Sequence, residues 1–250
     1  MPTQAPSAYW KMSFALPKPM RTLHLSLFTL LLCFAMSSSC LSQDQPTSLS
    51  YLALGDSYTI GEGVDLGDRY PMQLVREWNK TATTPFTAPL IIAKTGWTVD
   101  ELEAGIQATP TASEGYDLVT LLIGVNNQYR GRSVESFEVD FEKMLQRAIA
   151  FARGKKEHVL VLSIPDWGVT PFAIQKGVDA DKVAKEINAY NRAKKAICVK
   201  YGITFIDITD DYRMEGALPE GIVEDQLHPS RIIYGQWMVK LSNELKKIKF

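Results

Sequence analysis

Four short stretches of this 250-residue chain hold side chains that could do chemistry together: Gly55-Asp56-Ser57, Gly96, Gly124-Val125-Asn126 and Asp225-Gln226-Leu227-His228. A serine hydroxyl is a weak nucleophile until a base takes its proton. Imidazole suits that task because its ordinary pKa, about 6.5, lies near neutral pH. A carboxylate against the ring then fixes its tautomer and stabilises the imidazolium. Of the three histidines, His24 falls in an apolar N-terminal run and His158 opens a strand-like one, which leaves His228 as the base and Asp225 as its orienting acid. Singly, His228 reads as a helix-start histidine satisfied by a backbone carbonyl, and Asp225 as a turn aspartate. What favours the chemical reading is their company: a serine at a strand end, and no rival histidine beside a matching carboxylate.

In this order the four stretches resemble the sequence blocks of the GDSL or SGNH serine hydrolases. Two positions depart from that pattern: Tyr58 stands where Leu is usual, and Asn127 where Asp is common. The resemblance covers roughly residues 50–245 and implies an esterase that works through an acyl-enzyme on Ser57, with no metal or cofactor. It also implies an oxyanion hole made of the Ser57 and Gly96 backbone N–H groups and the Asn126 side-chain amide. The implied substrate is a small-molecule or glycan ester, with an acetylated carbohydrate as the leading expectation. The alternatives are a lysophospholipase or thioesterase of the same fold, or a surface lipoprotein that binds glycans without turnover. Trp97 and Trp167 follow the second and fourth strands, where each either contacts a sugar or acyl group or packs under its loop.

To act together these residues must meet at one edge, and the pattern of elements provides one. Apolar runs at 50–54, 90–93, 117–123, 158–164 and 203–208 read as buried strands. Between and after them, amphipathic spacing predicts helices over 70–80, from 98 onward, over 133–154, 179–201 and 229–245. Thr98 and Glu101 form a capping-box pattern, and Gly154 and Gly202 are stop signals. The stretch 165–171 reads as a loop rich in turn residues and 209–227 as a mixed loop. A β-α unit repeated five times predicts an α/β fold, a three-layer α/β/α sandwich on a five-stranded parallel sheet, flavodoxin-like, with right-handed crossovers. Ligands of such sheets bind beyond the carboxyl ends of the strands, which is where Ser57, Gly96 and Asn126 fall. No Gly-x-Ser-x-Gly elbow or phosphate-binding loop occurs, and Gly61, Gly63 and Gly67 lack dinucleotide-loop spacing.

Charge excludes other classes. The first forty residues carry Lys11, Lys18 and Arg21 and no acid, so 24 of the 27 basic residues face 28 acidic ones in the remainder. That balance, without a basic run interleaved with aromatics, predicts no nucleic-acid surface. Cys33, Cys40 and Cys198 are too few and too scattered for a disulfide framework or a paired-Cys zinc site. Residues 1–19, with four prolines, predict no structure, and Met20 is read as the start. Arg21, the apolar run 25–36 and Ser37-Ser38-Ser39-Cys40 then have the order of an export signal too short to span a bilayer. A cysteine after small residues resembles a bacterial lipoprotein signal, although Ser37 replaces the usual Leu, so Cys40 is the expected lipidation site and the only expected membrane link. Residues 1–40 are thus extension plus signal, 41–49 a polar tether and 50–250 the hydrolase domain, placed in the periplasm or cell envelope.

Overall fold

The continuous apolar runs do form a parallel sheet. In the computed structural model, which describes residues 12–15, 47–111 and 115–250, the strands are β1 (Tyr51–Gly55), β2 (Leu90–Ala93), β3 (Leu118–Leu122), β4 (Val159–Leu162) and β5 (Thr204–Ile206). Their order is β2-β1-β3-β4-β5 and every pairing is parallel. The three central strands are buried at every residue, while β2 and β5 at the edges are partly exposed, as expected of a sheet covered on both faces. Register brings Gly55 opposite both Ala93 and Leu122. The chain moves from β1 to one side for β2 and to the other for β3, so the switch of direction falls between β1 and β3.

The helices are α1 (Ser57–Ile60), α2 (Tyr70–Trp78), α3 (Val99–Ala108), α4 (Val125–Tyr129), α5 (Val134–Phe151), α6 (Pro171–Gln175), α7 (Ala180–Tyr201), α8 (Thr209–Glu215) and α9 (Arg231–Leu245). α2 packs on α9, while α3, α5 and α7 pack in succession, which gives the two helical layers. The apolar stripes explain these choices: Phe137, Phe141, Leu145 and Ala148 of α5 are buried, as are Tyr234, Trp237, Leu241 and Leu245 of α9. The capping box at Thr98 and the left-handed cap at Gly202 are both present.

The elements differ from expectation where side chains capture the backbone. β4 stops at Leu162 because both the N–H and the C=O of Ile164 are taken by Asn191 of α7, at 2.7 and 3.0 Å. β5 stops early because the N–H groups of Ile208 and Thr209 turn to the Ser163 hydroxyl, at 2.8 and 3.1 Å. The last helix begins at Arg231, since Pro229 bridges to Ile222 and Ser230 caps the helix. Leu49, expected at the end of the tether, is buried and bridges to Phe86, so folded chain begins by Leu49. Cys40 and the signal-like segment lie outside the described residues. No helix among the described residues is long and apolar enough to cross a membrane.

Candidate active site

Ser57 owes its place to a sharp stop of β1. A Cβ on Gly55 would fall 2.1 Å from Thr59 Oγ1 and 2.3 Å from the Leu122 carbonyl, so only glycine lets β1 turn this tightly against β3. Asp56 then caps the single turn of α1, its Oδ1 accepting from the Tyr58 N–H at 3.1 Å. Ser57 is the first residue of that turn, and a first-position N–H has no intrahelical acceptor, so it is free for a ligand.

Beside it, the turn after β2 is closed by Trp97 N–H to the Lys94 carbonyl, 3.2 Å, and places Gly96 at φ +86°, which side chains rarely adopt. After β3, Gly124 leads into α4, whose second residue is Asn126. Hydrogen bonds lace these two turns together. Asn126 Nδ2 donates to the Trp97 carbonyl at 3.0 Å, and Asn127 Oδ1 accepts from the Val99 N–H at the start of α3 at 3.1 Å. Arg130 Nη2 donates to the Gly96 carbonyl at 2.6 Å and Nη1 to Glu101 Oε1 at 3.0 Å. Asn127, at the position that departs from the block pattern, is buried and ties α4 to α3.

The third contributor is the stretch before α9. Asp225 Oδ2 lies 2.5 Å from His228 Nδ1, and its Oδ1 accepts from the N–H groups of Leu227 and His228 at 2.8 and 2.9 Å. Partial burial pushes the Asp225 carboxyl up, but the hydrogen bonds from His228 and the backbone outweigh it and hold the pKa at about 2. Behind the imidazole lies the Tyr58 ring, centroids 5.4 Å apart. The Tyr212 ring meets that of Tyr58 edge-on, centroids 6.0 Å apart, and the Tyr212 hydroxyl donates to the Leu227 carbonyl. Among the described residues Asp225 is the one side chain hydrogen-bonded to the imidazole.

These three stretches surround a cavity of about 220 Å³. Ser57, Thr95, Gly96, Asn126 and His228 supply its polar side; Tyr58, Val125, Tyr129, Trp167, Phe172 and Leu227 form an apolar wall. Trp167 is pinned there by its Nε1 donating to Gln128 Oε1 at 2.8 Å and by the edge of Tyr129, 5.2 Å away. Trp97, the other expected substrate contact, does not line the cavity. Its indole lies over α3, so close that a Cβ on Gly105 would meet Trp97 Cη2 at 2.0 Å. Tyr129 and Phe172 were not expected: the first belongs to a five-residue helix too short to show a period, and the second to another, α6, which starts at the last residue of the expected loop and falls in a stretch given no element.

A family model described as GDSL-like Lipase/Acylhydrolase matches residues 53–235, most of the chain. The chain belongs to this family, whose enzymes act on ester bonds. Solved structures agree on the fold. A structure of TesA superposes with a TM-score of 0.62 at 19% identity, covering 79% of this chain and 98% of that one. A lipase/acylhydrolase from Enterococcus faecalis gives 0.61 at 17% identity, covering 80% and 96%. Axe2, an acetylxylan esterase from Geobacillus stearothermophilus, gives 0.61 at 16% identity, covering 79% and 94%. Comparison with curated sequences returns no match.

Buried charge surrounds the site as well. Asp56 is almost wholly buried, its Oδ2 has no hydrogen-bond partner, and burial pushes its pKa up to about 7. Lys194 of α7 is also fully buried, with its pKa brought down to about 8 by desolvation. Its ammonium donates to the carbonyls of Ile123 and Leu162, at 3.0 and 2.8 Å, and so holds together the ends of β3 and β4 from which the site departs. A lysine inside a helix of mixed polarity gave no sign of this in the sequence.

Proposed function

We propose that the protein is an exported serine esterase that cleaves carboxylic esters through an acyl-enzyme on Ser57. The observation that carries this reading is the meeting of Ser57, Gly96, Asn126 and the Asp225-braced His228 around one cavity. His228 Nε2 takes the hydroxyl proton as Ser57 Oγ attacks the ester carbonyl carbon. The negative charge that develops on the carbonyl oxygen is met by the N–H groups of Ser57 and Gly96 and by Asn126 Nδ2, one of whose hydrogens is already spent on Trp97. Collapse expels the alcohol, which takes the proton from His228, and water then repeats the sequence to release the acid and restore Ser57. Asp225, ionised across the working range, balances the imidazolium in both steps.

The substrate class we propose is a short-acyl ester, an acetylated carbohydrate first among them. A cavity of about 220 Å³ is on the order of seven water volumes, room for a small acyl group and part of its alcohol. Trp167 and Tyr129 give a rigid aromatic wall of the kind on which a sugar ring rests. Axe2, similar in fold, carries an acetylxylan esterase name, which agrees with this choice. A second reading, a lysophospholipase or thioesterase, draws on Tyr129, which lines the cavity yet is 58% exposed and would suit a longer chain leaving the mouth. Rates on p-nitrophenyl esters of rising chain length and on acetylated xylose and glucosamine, for wild type and Ser57→Ala, test both. A fall in kcat/KM beyond short chains together with release of acetate from a sugar is expected; a maximum at long chains would favour the second reading.

Export, with Cys40 lipidated, is part of the proposal and rests on the order of Arg21, the apolar run and Ser37-Ser38-Ser39-Cys40. Expressed in a bacterium from Met20, the protein is expected in the membrane fraction, and Cys40→Ala in the soluble one. Unprocessed wild type in the cytoplasm would end this part of the reading.

A further inference from the structure

We infer that Arg130 is a positioning residue for the oxyanion-binding turn: its guanidinium holds the Gly96 carbonyl, and with it the backbone conformation at Gly96 that keeps the Gly96 N–H aimed into the cavity. This rests on the proposed role of Gly96 as an oxyanion donor and adds a residue that none of the four sequence blocks contains.

A glycine is needed at φ +86°, but glycine is also the residue whose peptide planes turn most freely, and it has no side chain by which packing could hold it. A flip of the Thr95–Gly96 peptide would swing the Gly96 N–H off the oxyanion and bring the Thr95 carbonyl toward it, replacing attraction by repulsion. Arg130 opposes that flip from the next peptide, by fixing the Gly96–Trp97 plane on which the flipping group is hinged. Its Nη2 binds the Gly96 carbonyl at 2.6 Å, a charge-assisted contact, while Nη1 binds Glu101 Oε1 at 3.0 Å. Glu101 is itself fixed, its Oε2 accepting from the Thr98 N–H at 2.9 Å in the capping box of α3. The chain of contacts therefore runs from the Gly96 carbonyl through a planar fork to a helix start. Lysine, a single-point donor, could not hold both partners in that geometry. Arg130 also follows Tyr129, so the turn that carries Asn126 and a cavity wall grips the turn that carries Gly96. A direct substrate contact is the rival role, since the guanidinium is 43% exposed, but two of its nitrogens are already engaged and Glu101 neutralises its charge.

The test uses the whole protein and the neutral substrate p-nitrophenyl acetate. Arg130→Gln is expected to lower kcat about tenfold with KM unchanged, because a small misplacement of one donor weakens transition-state binding alone. Arg130→Lys should recover part of the loss. Combined with Asn126→Ala, Arg130→Gln should cost less than the product of the separate losses, since both act on one oxyanion. Arg132→Gln, which removes a surface pair with Asp100, should leave the kinetics as they are. Wild-type kcat in Arg130→Gln, a loss confined to KM, or losses that multiply independently would overturn the inference. If Arg130→Gln does not fold by circular dichroism, Arg130→Lys decides by the same split of kcat against KM. The failures separate: an unaffected Arg130→Gln beside an inactive Ser57→Ala removes only Arg130, whereas a fully active Asn126→Ala removes the oxyanion reading beneath it.

Discussion

On one side of Ser57, the turns of Gly96 and Asn126 are joined through polar side chains near the surface: Arg130 to Gly96 and Glu101, Asn126 to Trp97. On the other side, the turn of His228 rests on buried rings. Tyr58, Tyr212 and Trp237 lie with centroids 6.0 to 6.3 Å apart, and the Tyr212 hydroxyl donates to the Leu227 carbonyl. The difference follows from what each side must hold. A backbone N–H is aimed by fixing neighbouring carbonyls, which hydrogen bonds do well even near water. An imidazole has to keep its plane while it gains and loses charge, and a packed aromatic bed restrains a plane without offering a competing proton site. Tyr58, at the position usually held by Leu, is thus the piece that joins the turn of Ser57 to that of His228.

The comparison breaks most sharply on the histidine side. Asp225→Asn should leave the fold intact and lower kcat/KM by about 10³ to 10⁴, because an amide can hold the ring in the wrong tautomer and cannot balance its charge. On the side of Gly96 and Asn126, if it is the proposed oxyanion hole, Asn126→Ala should lower kcat by about 10² to 10³ with KM little changed. Steady-state kinetics on one soluble ester measures both, and equal losses in kcat and in binding for Asn126→Ala would place that side chain on the substrate's ground state instead.

Two smaller effects sharpen the contrast. Tyr212→Phe leaves the Leu227 carbonyl without its partner, which should cost about 1 to 3 kcal/mol of stability by chemical denaturation and a severalfold loss of kcat. No change in either would mean the contact from Tyr212 to Leu227 does not help to hold the histidine. The least effect is expected from Asp56→Asn and depends on pH. The folded carboxyl binds its proton up to about pH 7, against an ordinary value near 4, so wild-type stability falls as pH rises between those values. The amide keeps an acceptor for the Tyr58 N–H and cannot ionise. Its thermal midpoint relative to wild type should therefore climb by a few degrees from pH 4 to pH 8, and a flat difference would show that Asp56 is not held protonated.

How much of this was legible in the sequence follows the same division. Strands β1, β3 and β4 are continuous apolar runs, so they and the residues at their ends, Ser57 and Asn126, could be placed without knowing what surrounds them. Gly96 could be placed because Thr98 and Glu101 mark the helix start just beyond it. The aromatic bed could not be read, because Tyr58, Tyr212 and Trp237 lie far apart in sequence and meet only through tertiary packing. α8 is mostly polar, with only Thr209 and Tyr212 buried, so it left no helical stripe to find. Trp97 and Trp167 look alike in sequence, each just past a strand end. What separates them is Gly105, whose missing side chain lets one indole lie down on α3, and Gln128, which holds the other at the cavity. Arg130 shows how far motif reading reaches: its two partners lie in the turn after β2 and at the start of α3, brought to it by the sheet order and by nothing near it in the chain.

The central claim is that Ser57 is the nucleophile, and a covalent label tests it most directly. After reaction with diethyl p-nitrophenyl phosphate, intact-mass and peptide analysis should find one diethylphosphoryl group, on Ser57, with parallel loss of esterase activity, and none on the Ser57→Ala protein. A label on another serine such as Ser163, or esterase activity that survives in Ser57→Ala, would contradict the account.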